Sequence, residues 1–425
     1  MYDFETDPEF QRKLDWAAEF VAEEVEPLDL VFPNAYDRSD EAAMAVARPL
    51  MKRVREAGLW ACHLTPDLGG QGYGQVKLAL LNEILGSSGW APVVFGCQAP
   101  DSGNAEILAH FGTPEQKARY LEPLLAGDVV SCYAMTEPQA GSDPRLFTAQ
   151  ARRDGDEWVL SGEKWFGTNA AEAAFFVIMA VTDPDVPIYS GASMFVVPAG
   201  TPGLEIVRKV GALGEPAGIG HGYLRFNDLR VGGDALLGGE GQAFAIAQTR
   251  LGGGRIHHAM RTLGSARKAF DMMCERAVSR RTSVGTLADY GVTQAKIAQC
   301  WIEIEQFRLL VLRTAWLIDK HNDYKVVRKD ISAVKAAMPG VLRNVAQAAL
   351  HLHGALGSSD EMPFTGMLLD AERMGLVDGP TEVHEVTLAK QLLKGYKPAP
   401  DVFPSGHLPR LRAAAFAKLG VDPDA

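Results

Sequence analysis

The sequence predicts a mostly α-helical chain with a central antiparallel β domain, and three observations carry that prediction. Up to about Asp128 the apolar residues recur three or four positions apart, the period of a helix face. From Val129 to about Leu237 they gather in short runs separated by Gly, Pro and Asp, which read as strands. After Gly241 the helical period returns and persists. Because no helical segments alternate with the strands, a compact antiparallel barrel or sandwich is expected rather than a parallel Rossmann-type sheet. The chain therefore divides into an N-terminal helical domain (1–128), a middle β-barrel domain (129–240), a C-terminal four-helix bundle (241–396) and a tail (397–425).

The first helix is read from Phe10, Leu14, Ala18, Val21 and Val25, behind a Thr6-x-x-Glu9 capping box with Pro8 inside it, and Pro27 is expected to end it. Val76 to Leu85 forms an apolar helix after the glycine-rich Leu68–Gly74, which reads as a tight loop because the G-x-G-x-x-G spacing is not met. Thr113-Pro-Glu-Gln116 marks another start: Thr caps, Pro suits an early helical position and Gln116 reaches back to the cap amide. In the β region, Trp158–Ser161, Phe175–Met179, Met194–Val197 and Tyr223–Phe226 are strands, and Asp154-Gly155 signals a hairpin. Bundle helices are expected over Ala243–Arg281, Val292–Lys320, Ile331–Leu352 and Thr381–Lys394, with a kink at Pro339. The Pro-rich Lys397–Pro404 reads as a tail or docking arm.

Composition narrows the function. Hydrophobic residues make up 47% and charged residues 22% of the 425, the balance of an ordinary globular chain. Acids outnumber bases 53 to 42 for a net charge of −11, and no Lys/Arg cluster stands out, so nucleic acid is not an expected partner. The longest nearly uncharged apolar stretch, Ala173–Val181, is about half of what a membrane-spanning helix requires. The acidic start, Met1–Pro8, lacks the character of a secretory signal or transit peptide, and Pro423-Asp-Ala425 is no peroxisomal address. Five widely spaced cysteines with no C-x-x-C suggest neither a disulfide framework nor a zinc site, and a reducing cytoplasm fits best.

No P-loop, H-E-x-x-H or G-x-S-x-G occurs, and the S-x-x-K at Ser161 recurs at Ser265 and Ser332, as chance matches do. The pairs His257-His258 and His351-x-His353 have no third ligand cluster beside them, so no metal site is expected. The sharpest segment is Cys132-Tyr-Ala-Met-Thr-Glu-Pro-Gln-Ala-Gly-Ser-Asp143, a strand followed by a hydroxyl-, glycine- and acid-rich turn. Its backbone N–H groups and the Thr136 and Ser142 hydroxyls can meet a polar, planar or phosphorylated ligand, although a structural Asx/Ser turn would look the same.

That segment resembles the flavin-binding signature of the acyl-CoA dehydrogenase family, and the likeness extends in the same helical, β, helical order from the first helix to Lys397. The resemblance implies FAD as cofactor, with Tyr133, Ala134, Met135, Thr136, Gly141 and Ser142 on it and Ser142 also on substrate. Gly162-Glu-Lys-Trp-Phe-Gly-Thr-Asn169 resembles the family's second flavin strand, so Phe166, Gly167 and Thr168 would line the ring, with Thr168 near its reactive nitrogen; Phe166 stands where tryptophan is usual. Arg281-Thr-Ser-Val-Gly285 resembles R-x-x-F-G, whose arginine pairs with the pyrophosphate of FAD held mainly by a neighbouring subunit. His351-Leu-His-Gly-Ala-Leu-Gly357 resembles Q-x-x-G-G-x-G, implying that His351, Gly354 and Gly357 approach a partner's FAD and that the protein is a homodimer or homotetramer. Gly254-Arg-Ile-His-His-Ala-Met-Arg261 resembles the branch whose members are joined to a kinase-like domain, which places Arg255, His257 and His258 near the acyl-CoA.

In this family a carboxylate removes the α-proton of an acyl thioester while the β-hydride leaves to the flavin, and an electron-transfer flavoprotein takes the electrons. Val377-Asp-Gly-Pro-Thr-Glu-Val-His384 resembles the stretch bearing that base: Asp378 would be the base, Gly379 would touch substrate, and Pro380 and Glu382 the cofactor. The family's alternative base position, on the bundle helix, is Gly254 here and carries no carboxylate. Burial against flavin and acyl chain is expected to raise the pKa of Asp378. Two rival readings remain: a nitroalkane-oxidase-like flavoenzyme, whose relatives also use aspartate, and an inactive flavin- or acyl-CoA-binding subunit.

Overall fold

The computed structural model describes residues 6–213 and 220–422. The extreme start and end used in the targeting argument lie outside the described residues. The N-terminal region comprises α1 (Pro8–Phe20), α2 (Glu26–Val31), α3 (Glu41–Glu56), α4 (Gly74–Leu85), α5 (Ala91–Val94), α6 (Asp101–Phe111), α7 (Pro114–Gln116) and α8 (Glu122–Ala126). Thr113 and Gln116 form the expected reciprocal capping box. At the start of α1, however, the cap is Asp7, whose side chain accepts from the Phe10 amide, not Thr6. Nor does Pro27 end the first helix. A π-helical segment, Val21–Val25, runs directly into α2 with Pro27 in its first turn, where a missing N–H costs little. The same device recurs at Lys117–Leu121 ahead of Pro123 in α8.

The central strands are β1 (Ser131–Ala134), β2 (Gln150–Asp154), β3 (Glu157–Gly167), β4 (Phe175–Val181), β5 (Ala192–Pro198), β6 (Leu204–Val210), β7 (His221–Gly232) and β8 (Leu236–Leu237), with the short helix α9 (Ile188–Gly191) ahead of β5. The expected hairpin joins β2 to β3, with Asp154 opposite Glu157 and Gly155 at φ 64°. The domain is not purely antiparallel, because β4 pairs in parallel with β1 and β2. Nor is it a closed barrel: among the described residues the path β6-β7-β3-β2-β4-β5-β8 ends on unpaired edges. Edge strand β6 carries Glu205, Arg208 and Lys209, charges that discourage further pairing. The sheet instead curls, so Phe176, Ile178, Phe195, Leu224 and Phe226 share an inner core, while Phe175, Val177, Met179 and Met194 pack outward on α6 and the bundle. Alternate residues of β4 thus enter two cores, which is why it reads as an unbroken apolar run.

The bundle consists of α10 (Ala243–Ser279), α11 (Gly291–His321), α12 (Arg328–His353), α13 (Phe364–Leu376) and α14 (Thr381–Leu393). Helix α13 is an addition to the four expected bundle helices, and α12 continues through Pro339. Between α10 and α11, β9 (Arg281–Thr282) pairs with β10 (Gly285–Thr286) in a small hairpin. The bundle shares one core with the N-terminal helices, in which Phe20, Leu85, Trp90 and Phe95 join Ile256, Met260, Val334 and Leu342. The interlock is also polar: Asp319 of α11 accepts from the Gln75 and Val76 amides and caps α4 in place of a local side chain. The tail is not wholly irregular, since α15 (Leu408–Leu419) lies beyond the Pro-rich stretch.

Candidate active site

At the end of β1 the backbone leaves the sheet through Met135 and Thr136, both half-buried, into a turn that exposes Gly141 and Ser142. A buried ion pair holds this turn to β3. Lys164 Nζ lies 2.7 Å from Glu137 Oε1 and donates to the Met135 carbonyl, while Glu137 also accepts from the Thr148 and Ala149 amides. Burial pulls the Lys164 ammonium down to about 8 against the attraction of Glu137. Beyond Lys164, Phe166 adopts a left-handed backbone at φ 57° and leaves its ring 40% exposed. An aromatic ring held outward at a strained backbone, beside the half-buried Thr168 hydroxyl and the Thr136 turn, is a surface that a planar ring system fits. Gly167 is buried, and a Cβ there would meet Cys132 Sγ at 2.9 Å, so it serves the β1–β3 packing.

Asp378 lies in the turn between α13 and α14, also left-handed at φ 55°. Three anchors hold that turn: its carbonyl accepts from Arg255 Nε at 3.0 Å and faces His384 Nε2 at 3.2 Å, and the carboxylate Oδ2 stands 3.6 Å from His258 Nε2. Burial is the largest single influence on the carboxyl and raises its pKa, but His258, Arg250, Arg255 and Lys335 together outweigh it and hold Asp378 below the usual carboxylate value. The expected rise is therefore reversed within the chain, because α10 and α12 bring cations to the same point. His258 is itself pushed to about 4 by burial, so at neutral pH the field comes from the arginines and from Lys335, which burial lowers to about 8. The site is thus an ionised, poorly hydrated carboxylate facing Gly254 of α10.

Three family models match the chain in order: the acyl-CoA dehydrogenase N-terminal domain over residues 7–128, its middle domain over 132–229 and its C-terminal domain over 241–393. The probable acyl-CoA dehydrogenase FadE2 of Mycobacterium tuberculosis is 39% identical over 86% of this chain and 90% of its own length. The chain belongs to the acyl-CoA dehydrogenase family. A putative acyl-CoA dehydrogenase structure from Mycobacterium abscessus superposes with a TM-score of 0.84 at 36% identity, covering 92% of this chain and all of that one. Acyl-CoA dehydrogenase family member 10 of Mus musculus is 37% identical over 91% of this chain, which spans only 37% of that longer protein.

On this acyl-CoA dehydrogenase framework the residues expected at the site separate into groups. Arg255, His258 and Gly379 meet at Asp378; Gly379, at φ 100°, has room for no Cβ without pressing His384 Nε2 at 3.1 Å. His257 faces away toward Gln75 Oε1 of α4, 3.3 Å distant. Arg281, His351, Gly354 and Glu382 are exposed, while Pro380 is the half-buried N-cap residue of α14. Gly354, at φ 67°, has open space where a Cβ would project, whereas Gly357 is buried and a Cβ there would meet the Leu350 carbonyl at 2.2 Å. Close packing thus requires Gly357 irrespective of any ligand. Sequence reasoning missed Arg250 and Lys335, which bear on Asp378 from α10 and α12 without a local motif, and gave no role to His384, the last residue of the Asp378 motif.

Proposed function

We propose that this chain, a member of the FAD-dependent acyl-CoA dehydrogenase family, dehydrogenates an acyl-CoA thioester to the trans-2-enoyl-CoA, with Asp378 as the α-proton base. The observation that carries this reading is the half-buried Asp378 carboxylate, 3.6 Å from His258 Nε2 and facing Gly254 of α10, on a turn whose backbone carbonyl is anchored by Arg255 and His384. FAD when bound would supply the acceptor for the hydride leaving the β-carbon. Tyr133, Ala134, Met135, Thr136, Gly141 and Ser142 would hold it along β1 and its turn, and Phe166, Gly167 and Thr168 would line its ring. The three cations keep Asp378 ionised at neutral pH, ready to accept a proton, and exclusion of water strengthens their hold on the charge that shifts during transfer.

Arg281, His351, Gly354 and Glu382 project from the chain toward a second subunit in this reading, so the functional unit is a homodimer or homotetramer with shared flavin sites. An electron-transfer flavoprotein is the proposed acceptor. The five cysteines are free and four are buried, which suits the cytoplasm, and no helix among the described residues is long and apolar enough to cross a membrane. Anaerobic titration with a panel of acyl-CoAs tests the reaction: flavin bleaching by at least one supports it. Aspartate as base also favours a nitroalkane-oxidase-like activity, which oxygen consumption with nitroalkanes and no bleaching by acyl-CoA would select.

A further inference from the structure

His221 opens β7, and its Nδ1 lies 3.0 Å from the Thr168 hydroxyl just beyond the end of β3. The sheet enforces this meeting: Gly167 pairs with Gly222, so the next residue of one strand faces the previous residue of the other. Both glycines are required there, since a Cβ on Gly222 would meet the Ala170 side chain at 2.4 Å and one on Gly167 the Cys132 sulfur at 2.9 Å. The imidazole is also 5.4 Å from the Phe166 ring, tilted by 59°. His221 therefore touches both side chains assigned above to the flavin ring, from a strand that no flavin motif contains.

A hydroxyl has one proton, and the partner that takes it determines what the oxygen can offer elsewhere. When Thr168 donates to a bare His221 Nδ1, its oxygen is left to accept. The reactive ring nitrogen of a flavin is an acceptor when oxidised and an N–H donor when reduced. An oxygen committed to accepting matches the reduced form, whereas a free hydroxyl also donates to the oxidised one. We propose that His221 is a positioning residue that commits the Thr168 proton to the protein and thereby biases bound FAD toward its reduced state. The idea rests on the flavin reading of Thr168, and its test separates the two.

The wild type, His221→Leu, His221→Asn and Thr168→Val are prepared as holoenzymes, and their FAD content and midpoint potential are measured spectroelectrochemically. His221→Leu should shift the oxidised-to-reduced equilibrium about tenfold toward oxidised, about 30 mV lower for two electrons. His221→Asn keeps an acceptor beside Thr168 and should stay near wild type. In a Thr168→Val background, His221→Leu should have no further effect. An unchanged or raised potential in His221→Leu, or the same shift with and without the Thr168 hydroxyl, overturns the role of His221 while leaving the FAD reading intact. If His221→Leu does not fold, the Asn and Val variants decide: Thr168→Val must lower the potential and His221→Asn must not. A folded wild type that takes up no FAD removes the underlying reading instead.

Discussion

A Cβ placed on Gly254 would stand 3.0 Å from Oδ2 of Asp378. The two residues lie on different elements, α10 and the turn before α14, and 124 positions apart, yet they address one point in space. The absence of a side chain at 254 is what lets the carboxylate occupy that point. Side chains delivered from the two elements would therefore compete for the same space.

The first expectation concerns the base itself. Asp378→Asn keeps the size of the side chain and removes its basicity, so flavin bleaching by an acyl-CoA in stopped flow should slow by roughly 10²–10⁴-fold with FAD still bound. Because the surrounding cations hold Asp378 below the ordinary carboxylate value, the wild-type rate should show no acid limb at neutral pH. Bleaching by the Asn variant at wild-type speed would remove Asp378 from the mechanism.

Relocating the base is a sharper test of the geometry. Gly254→Glu alone should impair the enzyme, since it sets a second carboxylate against Asp378 Oδ2. Combined with Asp378→Gly, the same substitution should recover part of the bleaching rate that Asp378→Gly loses. Equal rates for the single glycine variant and the double variant would mean that the two positions do not share one reacting point.

Glu106 supplies a pH-dependent expectation. Burial, opposed by the Tyr324 hydroxyl and Arg250, raises its pKa to about 8. Between the ordinary carboxylate value and about 8 the folded chain keeps a proton that the unfolded chain has lost. The stability linked to this proton is complete below that window and falls as pH rises through it, by up to about 1.4 kcal/mol per pH unit. Glu106→Gln fixes the neutral form, so its thermal midpoint should gain on wild type from pH 5 to pH 8. A difference that does not change with pH would show that Glu106 ionises freely in the folded chain.

Arg281 tests the shared site. It projects from the β9–β10 hairpin, fully outside the bundle core. Arg281→Ala should weaken FAD retention on gel filtration without altering the secondary structure seen by circular dichroism. Full flavin occupancy in a particle that light scattering identifies as a monomer would refute a cofactor held between subunits.

What the sequence made legible is what is encoded locally. The Thr113–Gln116 box, the Asp154-Gly155 hairpin and the period of the bundle helices each depend on residues a few positions apart. The errors arise where a distant group overrides a local rule. Pro27 is accommodated because the preceding turn widens into a π segment, and α4 is capped by Asp319, 244 residues away from Gln75. The strand order was likewise opaque, since nothing in the run Phe175–Val181 distinguishes a parallel neighbour from an antiparallel one. At the site, the Cys132–Asp143 and Lys164–Asn169 motifs could be read directly, whereas the charges around Asp378 and the His221 contact exist only once separate helices and strands have met.

The Lys164–Glu137 pair has a mechanical consequence. One ammonium is shared between the Met135 carbonyl and the Glu137 carboxylate, with the Phe147 ring 4.7 Å away, so sliding the turn against β3 would leave a bare charge in an apolar setting. Removing one partner of such a pair typically costs about 3–5 kcal/mol, so the contact opposes any shift that would separate the two. The Thr136 turn and the Thr168 strand end are thereby fastened as a single stiff clasp, and a bound ring would feel one surface whose two halves cannot drift apart under thermal motion.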